Sequence, residues 1–386
     1  MVLRGKIARV TLNTLQTPAI LIDRPTALRN LDRMQAAATA RGVGLRPHTK
    51  THKSPVVARW QIERGAIGIC CAKLGEAEVF AEAGFDDIRL PYPINPVNAP
   101  RVLQLLDRTR LSFIVDDRAI AREWSTIMSR AGRSVEVLVK VDVGFHRCGI
   151  DPNAADAVGV IRDIASLPGL AFRGLLAHAG HAYHAHSEDQ MRSMAEDEAR
   201  TLRDLTAACR AAGVRIDEVS TGATPPARYA LQQDGITEYR PGNYVYFDRT
   251  QVALGAATLD DCALSVLTRV VSKPAPDRLI FDSGSKTLTN DGARGFQPLT
   301  GYGSVLRTAA GNRRTATVDS DLVIERLSEE HATVRVASGS TALEAGDLVR
   351  IVPNHSCVVS NLVDQAWLVE GELVEPLPIA ARGRIT

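Results

Sequence analysis

From residue 15 to about residue 254 the chain repeats one unit: a short apolar run, a polar tip, then a segment with apolar positions at helical spacing. Residues 15–23 read as a strand and 25–41 as a helix, with Leu28, Leu31 and Met34 on one face. Gly42 and Gly44 close that helix. Strands are then expected at 66–71, 87–90, 111–115, 135–142, 170–176, 216–220 and near 238–240, with helices at 55–63, 73–83, 97–106, 117–130, 154–166 and 188–212. About eight such units over about 240 residues have the size of a closed (β/α)8 TIM barrel. An open doubly wound sheet shares the alternation, but no glycine-rich dinucleotide loop follows the first strand.

Beyond Leu254 the pattern changes. Residues 263–271, 278–281, 315–327, 331–336 and 348–352 are short and rich in β-branched side chains, separated by Asn290-Asp291-Gly292, Gly301-Tyr302-Gly303 and Ser338-Gly339-Ser340 turns. Residues 272–277 read as a surface crossing and Thr308-Ala309-Ala310-Gly311 as a loop. The expected organisation is an α/β barrel over 13–254 and a mostly β C-terminal domain over 255–386, to which residues 1–12 add a strand.

With 45% apolar residues, 23% charged residues and a net charge of +2, nothing draws the chain to nucleic acid or to an anionic membrane. A small molecule is the expected partner. No apolar run reaches a membrane span, and the first ten residues lack the apolar block of a secretory signal. Six cysteines without close, even spacing suit a reducing cytoplasm.

In a barrel of this kind functional groups gather at the C-terminal ends of the strands. The sharpest tip is Leu45-Arg46-Pro47-His48-Thr49-Lys50-Thr51-His52-Lys53. A lysine there is either a solvated cation or an amine held for attack on a carbonyl carbon. Cys71 and Lys73, then Asp142 to Cys148, then the histidine-rich run from His178 to His186 end further strands. Ser220-Thr221-Gly222-Ala223-Thr224 and Gly242-Asn243-Tyr244 can present hydroxyls and N–H groups to a phosphate, or are ordinary βα turns. Arg147 can pair with a bound anion or with Asp142. His355-Ser356-Cys357 follows a strand and Pro353-Asn354; on an extended backbone its i,i+2 side chains point the same way, and imidazole with thiolate suits zinc. The other reading is a buried cysteine beside a satisfied histidine.

These residues carry a resemblance. Thr17-Pro18, the run from Arg46 to Lys53, Gly68-Ile69-Cys70-Cys71-Ala72-Lys73, Val141-Asp142-Val143-Gly144 with Arg147-Cys148-Gly149, Gly242-Asn243-Tyr244, Pro353-Asn354-His355-Ser356-Cys357 and the closing Ala380-Ala381-Arg382-Gly383-Arg384 are similar to motifs of the pyridoxal-phosphate (PLP) enzymes of alanine-racemase-like fold, in the branch of D-threonine aldolase and D-serine dehydratase. The resemblance implies that Lys50, not Lys53, is the Schiff-base lysine. It implies that Arg147 contacts the cofactor, that Tyr183 or a nearby histidine lines its face, that Ser220, Gly222, Thr224, Gly242 and Tyr244 form its phosphate region, and that Asn243 also binds the cofactor. It also implies that His355 and Cys357 hold a divalent metal (zinc, manganese or magnesium), with His52 or His178 as base. Pro225 and Pro226 depart from the glycine-rich stretch of relatives and cannot donate N–H groups. The implied protein is a cytoplasmic homodimer acting on D-3-hydroxy amino acids. Metal-activated retro-aldol cleavage of D-threonine to glycine and acetaldehyde is the expected reaction. Dehydration of D-serine or 3-hydroxy-D-aspartate is the alternative, with racemisation or a non-catalytic PLP carrier further off.

Overall fold

The computed structural model describes residues 11–307 and 317–386. The candidate strand over residues 1–12, for its first ten residues, and the 308–311 loop lie outside them.

Among the described residues a 3-10 turn, Leu12–Thr14, precedes the first strand, β1, Ala19–Asp23, and helix Arg24–Thr39. Asp23 starts this helix by accepting the Thr26 N–H at 2.9 Å, with Pro25 in the first turn, where no N–H is missed. Eight parallel strands follow: β2 Gly44–Leu45, β3 Ile69–Cys70, β4 Asp87–Pro93, β5 Arg110–Val115, β6 Val135–Lys140, β7 Leu170–Leu176, β8 Glu218–Thr221 and β9 Glu238–Tyr239. They form one curled sheet in the order β2-β9-β8-β7-β6-β5-β4-β3. Its ends meet where Ile67 N donates to Leu45 O (2.9 Å) and Cys70 N to Pro47 O (2.8 Å), beside a parallel bridge from His48 to Cys70. The expected alanine-racemase-type barrel is present.

The second domain contains β10 Leu264–Ala275, β11 Arg278–Phe281, β12 Ser304–Arg307, β13 Thr317–Val318, β14 Leu322–Leu327, β15 Ala332–Val336, β16 Leu348–Val352, β17 Gln365–Glu370 and β18 Leu373–Pro378. Strand β10 is long enough to serve two neighbourhoods: it pairs with β1 and β16 along its first half and with β11 beyond a bulge at Val270/Ser272. Ser272 to Ala275, read from the sequence as a surface crossing, therefore prolong a strand.

One boundary moves. The sequence pattern puts residues 19–23 in the barrel. In the structure β1 pairs antiparallel with β10 and parallel with β17, so it belongs to the second sheet. Its all-apolar run, Ala19 to Ile22, suits burial between neighbours in either sheet, and pattern alone could not choose. Ile20, Ile22 and Tyr246 share one core with Val266, Val349 and Ile351, so apolar packing is continuous between the barrel and the β-domain.

Part of the barrel interior is polar. Glu238 Oε1 accepts from Arg89 (2.5 Å) and Ser220 Oγ (2.6 Å), and Oε2 accepts from Arg46 (2.7 Å). Arg89 also meets Glu218 (2.8 Å), and Arg46 meets Asp87 (2.5 Å). Burial alone would raise the Glu238 pKa, but Arg89 and Arg46 overcome it and hold it at about 2. Gly68 makes room for this network, since a Cβ there would lie 2.2 Å from Arg46 Nη1. Glu238→Ala leaves two buried guanidiniums short of a partner and is expected to cost about 3–5 kcal/mol. Asp32→Ala, which breaks the exposed Arg64 pair, is expected to cost under about 1 kcal/mol. Urea unfolding of both variants checks the contrast.

Candidate active site

The loops beyond the C-terminal ends of the barrel strands and one short helix of the β-domain, Ser356–Ser360, converge on Lys50. Lys50 lies in a single 3-10 turn, Thr49–Thr51, whose backbone is tied down on every side. Thr49 Oγ1 donates to Cys70 O (2.9 Å), and Lys53 N donates to Thr49 O (2.8 Å). From the second domain, Ser360 Oγ donates to Thr51 O and Ala381 N to Lys53 O (3.0 Å). Lys53 adopts the left-handed φ of 48°, and its buried Nζ pairs with Glu76 at 2.7 Å. Lys53 is thus committed to structure, while Lys50 is exposed.

Three groups feel the Lys50 charge: His48, His178 and Cys357. Burial, reinforced by that charge, pushes both imidazoles well below the ordinary histidine value, so they are neutral. His178 Nδ1 lies 2.6 Å from Gly222 O. A carbonyl only accepts, so Nδ1 carries the proton and Nε2 is left as an acceptor.

His52 is set apart from this group, which corrects its reading as a candidate base. It is fully buried, its Nδ1 accepts the Ser54 N–H (3.1 Å), and its ring stands edge-on to Phe80. Burial lowers its pKa to about 4. Each step along a 3-10 turn rotates a side chain by about a third of a circle, so Lys50 in the turn and His52 two residues on, at its C-cap, point in different directions.

The phosphate-region candidates divide in the same way. Thr224 is buried with an unpartnered hydroxyl. Gly222 has φ 153°, and a Cβ there would lie 2.4 Å from Arg240 N. A Cβ on Gly242 would come within 3.2 Å of Thr51 Oγ1. Ser220 is already saturated: its hydroxyl donates to Glu238 and accepts from Arg240 Nε (2.6 Å). The Tyr244 ring is buried in the core, and its hydroxyl accepts from Gln61 (3.2 Å). The Ser220 hydroxyl proton is thus already given to Glu238 and not to a phosphate, which corrects the expectation for that side chain. Arg147 is exposed, stacked 5.2 Å over Phe145, and Asp142 is occupied by Gly144 N and His146 instead. Tyr183 lies near Cys357, Asp248, Gln251 and Arg294; burial, then the negative charge of Cys357, raises its pKa.

His355 and Cys357 are not on an extended strand, as their spacing suggests. His355 caps the helix Ser356–Ser360 and Cys357 sits in its first turn, because Asp248 Oδ2 captures the Ser356 N–H at 2.9 Å and bends the chain there. Their side chains are nevertheless close enough for each to act on the other's charge. Burial disfavours both charges, yet mutual attraction raises His355 to about 10 and lowers Cys357. Thr51 Oγ1 (3.1 Å) and Asn243 Nδ2 (3.3 Å) approach the Cys357 sulfur, and Asn243 Oδ1 is buried without a partner. Asp291 Oδ2 lies 2.7 Å from His355 Nδ1. Among the described residues no group of three or more His, Cys, Asp and Glu could hold a metal. The pair therefore supplies two donors, imidazole and thiolate, of the type zinc takes, with other positions left open.

Thr51, Asp248 and Asp291 escape the sequence reading. Asp291 is visible there only as the middle of an Asn-Asp-Gly turn.

Residues 22–250 match the family described as alanine racemase, N-terminal domain, and residues 263–369 match the putative serine dehydratase domain. The chain is 33% identical to D-threonine aldolase of Arthrobacter sp over 95% of its length and 93% of that protein. It belongs to the PLP-dependent D-threonine aldolase/D-serine dehydratase family. Another relative in this family is D-threo-3-hydroxyaspartate dehydratase of Delftia sp. (strain HT23), 35% identical over 90% of this chain and 92% of that protein. The crystal structure of D-threonine aldolase from Filomicrobium marinum superposes with a TM-score of 0.86 at 28% identity, covering 98% of this chain and 99% of that one. These family members are lyases, and the chain is a PLP-dependent lyase. Among its described residues no helix is long and apolar enough to cross a membrane.

Proposed function

We propose that this lyase cleaves D-3-hydroxy amino acids by a retro-aldol reaction, with D-threonine giving glycine and acetaldehyde. Lys50 is the proposed attachment point for PLP, because it alone among Lys50, Lys53 and Lys140 presents its amine at the barrel mouth. Lys53 is bound to Glu76, and Lys140 is buried with its amine on Val141 O (2.7 Å). The unpartnered Thr224 hydroxyl, with Gly222 and Gly242 keeping the loops close, fits a phosphate. Arg147, Tyr183 and the Asn243 amide are proposed to border the ring. PLP bound there supplies an electron sink for the bond broken at Cα. His355 and Cys357 are the proposed ligands of a divalent ion that would polarise and orient the substrate hydroxyl.

The observation that carries the choice of reaction is the state of His178. Its Nδ1 is engaged by Gly222 O, which leaves Nε2 as the acceptor, and burial favours the neutral ring. Retro-aldol cleavage needs such a base: His178 takes the proton of the β-hydroxyl, the Cα–Cβ bond breaks with its electron pair left on Cα, and acetaldehyde departs. Cα then takes a proton from Lys50. Dehydration instead has Lys50 remove the Cα proton and requires an acid for the departing hydroxide. An ion held by His355 and Cys357 would assist that departure, so dehydration stands as the second reading and product analysis decides between them. A homodimer is proposed as the working form, supported by exposed Tyr92 near the end of β4 and exposed Val97 just beyond it.

Product analysis tests the reading. Acetaldehyde and glycine are expected from D-threonine, with little pyruvate from D-serine or oxaloacetate from D-threo-3-hydroxyaspartate; the reverse pattern makes the enzyme a dehydratase. His178→Gln is expected to reduce kcat by about 10²–10⁴-fold while PLP absorbance is retained.

A further inference from the structure

The segment from Thr289 to Phe296 leaves the β-domain and crosses to the site. It is anchored at several points. Asp291 N donates to Thr289 Oγ1 (3.1 Å), and Asp291 O accepts from Asn354 Nδ2 (3.0 Å). Arg294 N donates to Thr250 Oγ1 (3.2 Å), and Phe296 N to Ala253 O (3.2 Å). The second anchor fixes Asp291 through the residue next to His355.

The Asp291 carboxylate meets His355 Nδ1 at 2.7 Å. Both side chains are partly exposed, 48% and 41%, so as an ion pair alone the contact contributes little to stability. Its consequence is chemical. A carboxylate accepts, so the proton resides on Nδ1. With Nδ1 engaged by Asp291, Nε2 is the nitrogen left to offer a lone pair elsewhere. Without Asp291 the ring could rotate about its side-chain bonds or take the other tautomer, and either change removes a lone pair from the metal position.

We infer that Asp291 is a positioning residue for the metal pair: by holding the Nδ1–H of His355 it commits Nε2 to a divalent ion shared with Cys357. The inference rests on the reading that His355 and Cys357 hold that ion. Asp291 itself contacts neither substrate nor PLP in this scheme; it acts through His355.

The test uses the full-length, PLP-loaded enzyme stripped of metal and titrated with Zn²⁺ against a chromogenic chelator. Asp291→Ala is expected to weaken Zn²⁺ binding by about 10–100-fold with unchanged PLP absorbance and thermal midpoint. Asp291→Glu, which keeps a carboxylate, recovers part of the loss. In a His355→Ala background, Asp291→Ala is expected to cause no further loss, because its partner is gone. Wild-type Zn²⁺ affinity in Asp291→Ala overturns the inference while leaving the metal reading intact, provided His355→Ala itself binds weakly. An equal loss in both backgrounds also overturns it, since Asp291 would then act independently of the ring. Wild-type affinity in His355→Ala brings down the metal reading and the inference together.

Discussion

Lys50→Ala is expected to abolish turnover and the visible absorbance of lysine-bound PLP while leaving the fold nearly as stable as before. Both halves of that expectation come from the same geometry. The Lys50 amine has no hydrogen bond or ion pair of its own among the described residues, so its removal empties no buried site. The 3-10 turn is held by its neighbours: Thr49 on Cys70 O, Thr51 O under Ser360, Lys53 O under Ala381. A stability change within about 0.5 kcal/mol is therefore expected, as for other exposed side chains. Full activity in this variant would move the reactive amine elsewhere. Lys53→Ala should behave in the opposite sense: it leaves Glu76 buried without its cation, so protein stability falls by about 3–5 kcal/mol. Spectra and thermal unfolding of the two variants side by side separate the reactive lysine from the structural one.

The second large effect is expected at the thiolate–imidazole pair. Cys357→Ala or His355→Ala removes one of two donors, and metal affinity should fall by more than the ~10–100-fold that changes behind a ligand cost. Turnover should fall with it, whereas lysine-bound PLP remains visible because Lys50 is on a different element. Cys357→Ala has an additional consequence. The Thr51 hydroxyl and the Asn243 amide both point at the sulfur, so its loss leaves them facing an empty space at the junction between domains. Chelator treatment of the wild type should reproduce the loss of turnover, and added Zn²⁺ or Mn²⁺ should restore it. Turnover indifferent to chelator would make the pair structural.

How much of this was legible beforehand differs residue by residue. The alternation of apolar runs and helical spacing is a local property, and it specified the barrel strands and the β-rich end of the chain without any three-dimensional information. The exposed tip at Lys50 and the His355-Ser356-Cys357 spacing were equally visible, because each depends on a few adjacent residues. Local pattern was silent where a residue could serve either of two sheets, as for residues 19–23, or where two steps along a tight turn decide direction, as for His52. It was also silent on saturation. Ser220 looks like a phosphate ligand until Glu238 and Arg240, from the neighbouring strand, claim its hydroxyl.

Chain order alone determined that a parallel α/β barrel with a β-rich partner forms and that an amine, histidines and a thiol are at hand. Which of them meet was decided only by closure of the fold. The barrel and β-domain bring Thr51 to Cys357 across 306 positions and Asp291 to His355 across 64. No periodicity extends over such separations: these contacts exist because β1 and the C-terminal strands share one sheet and one apolar core with the barrel, and burying that common surface holds the two sets of loops together.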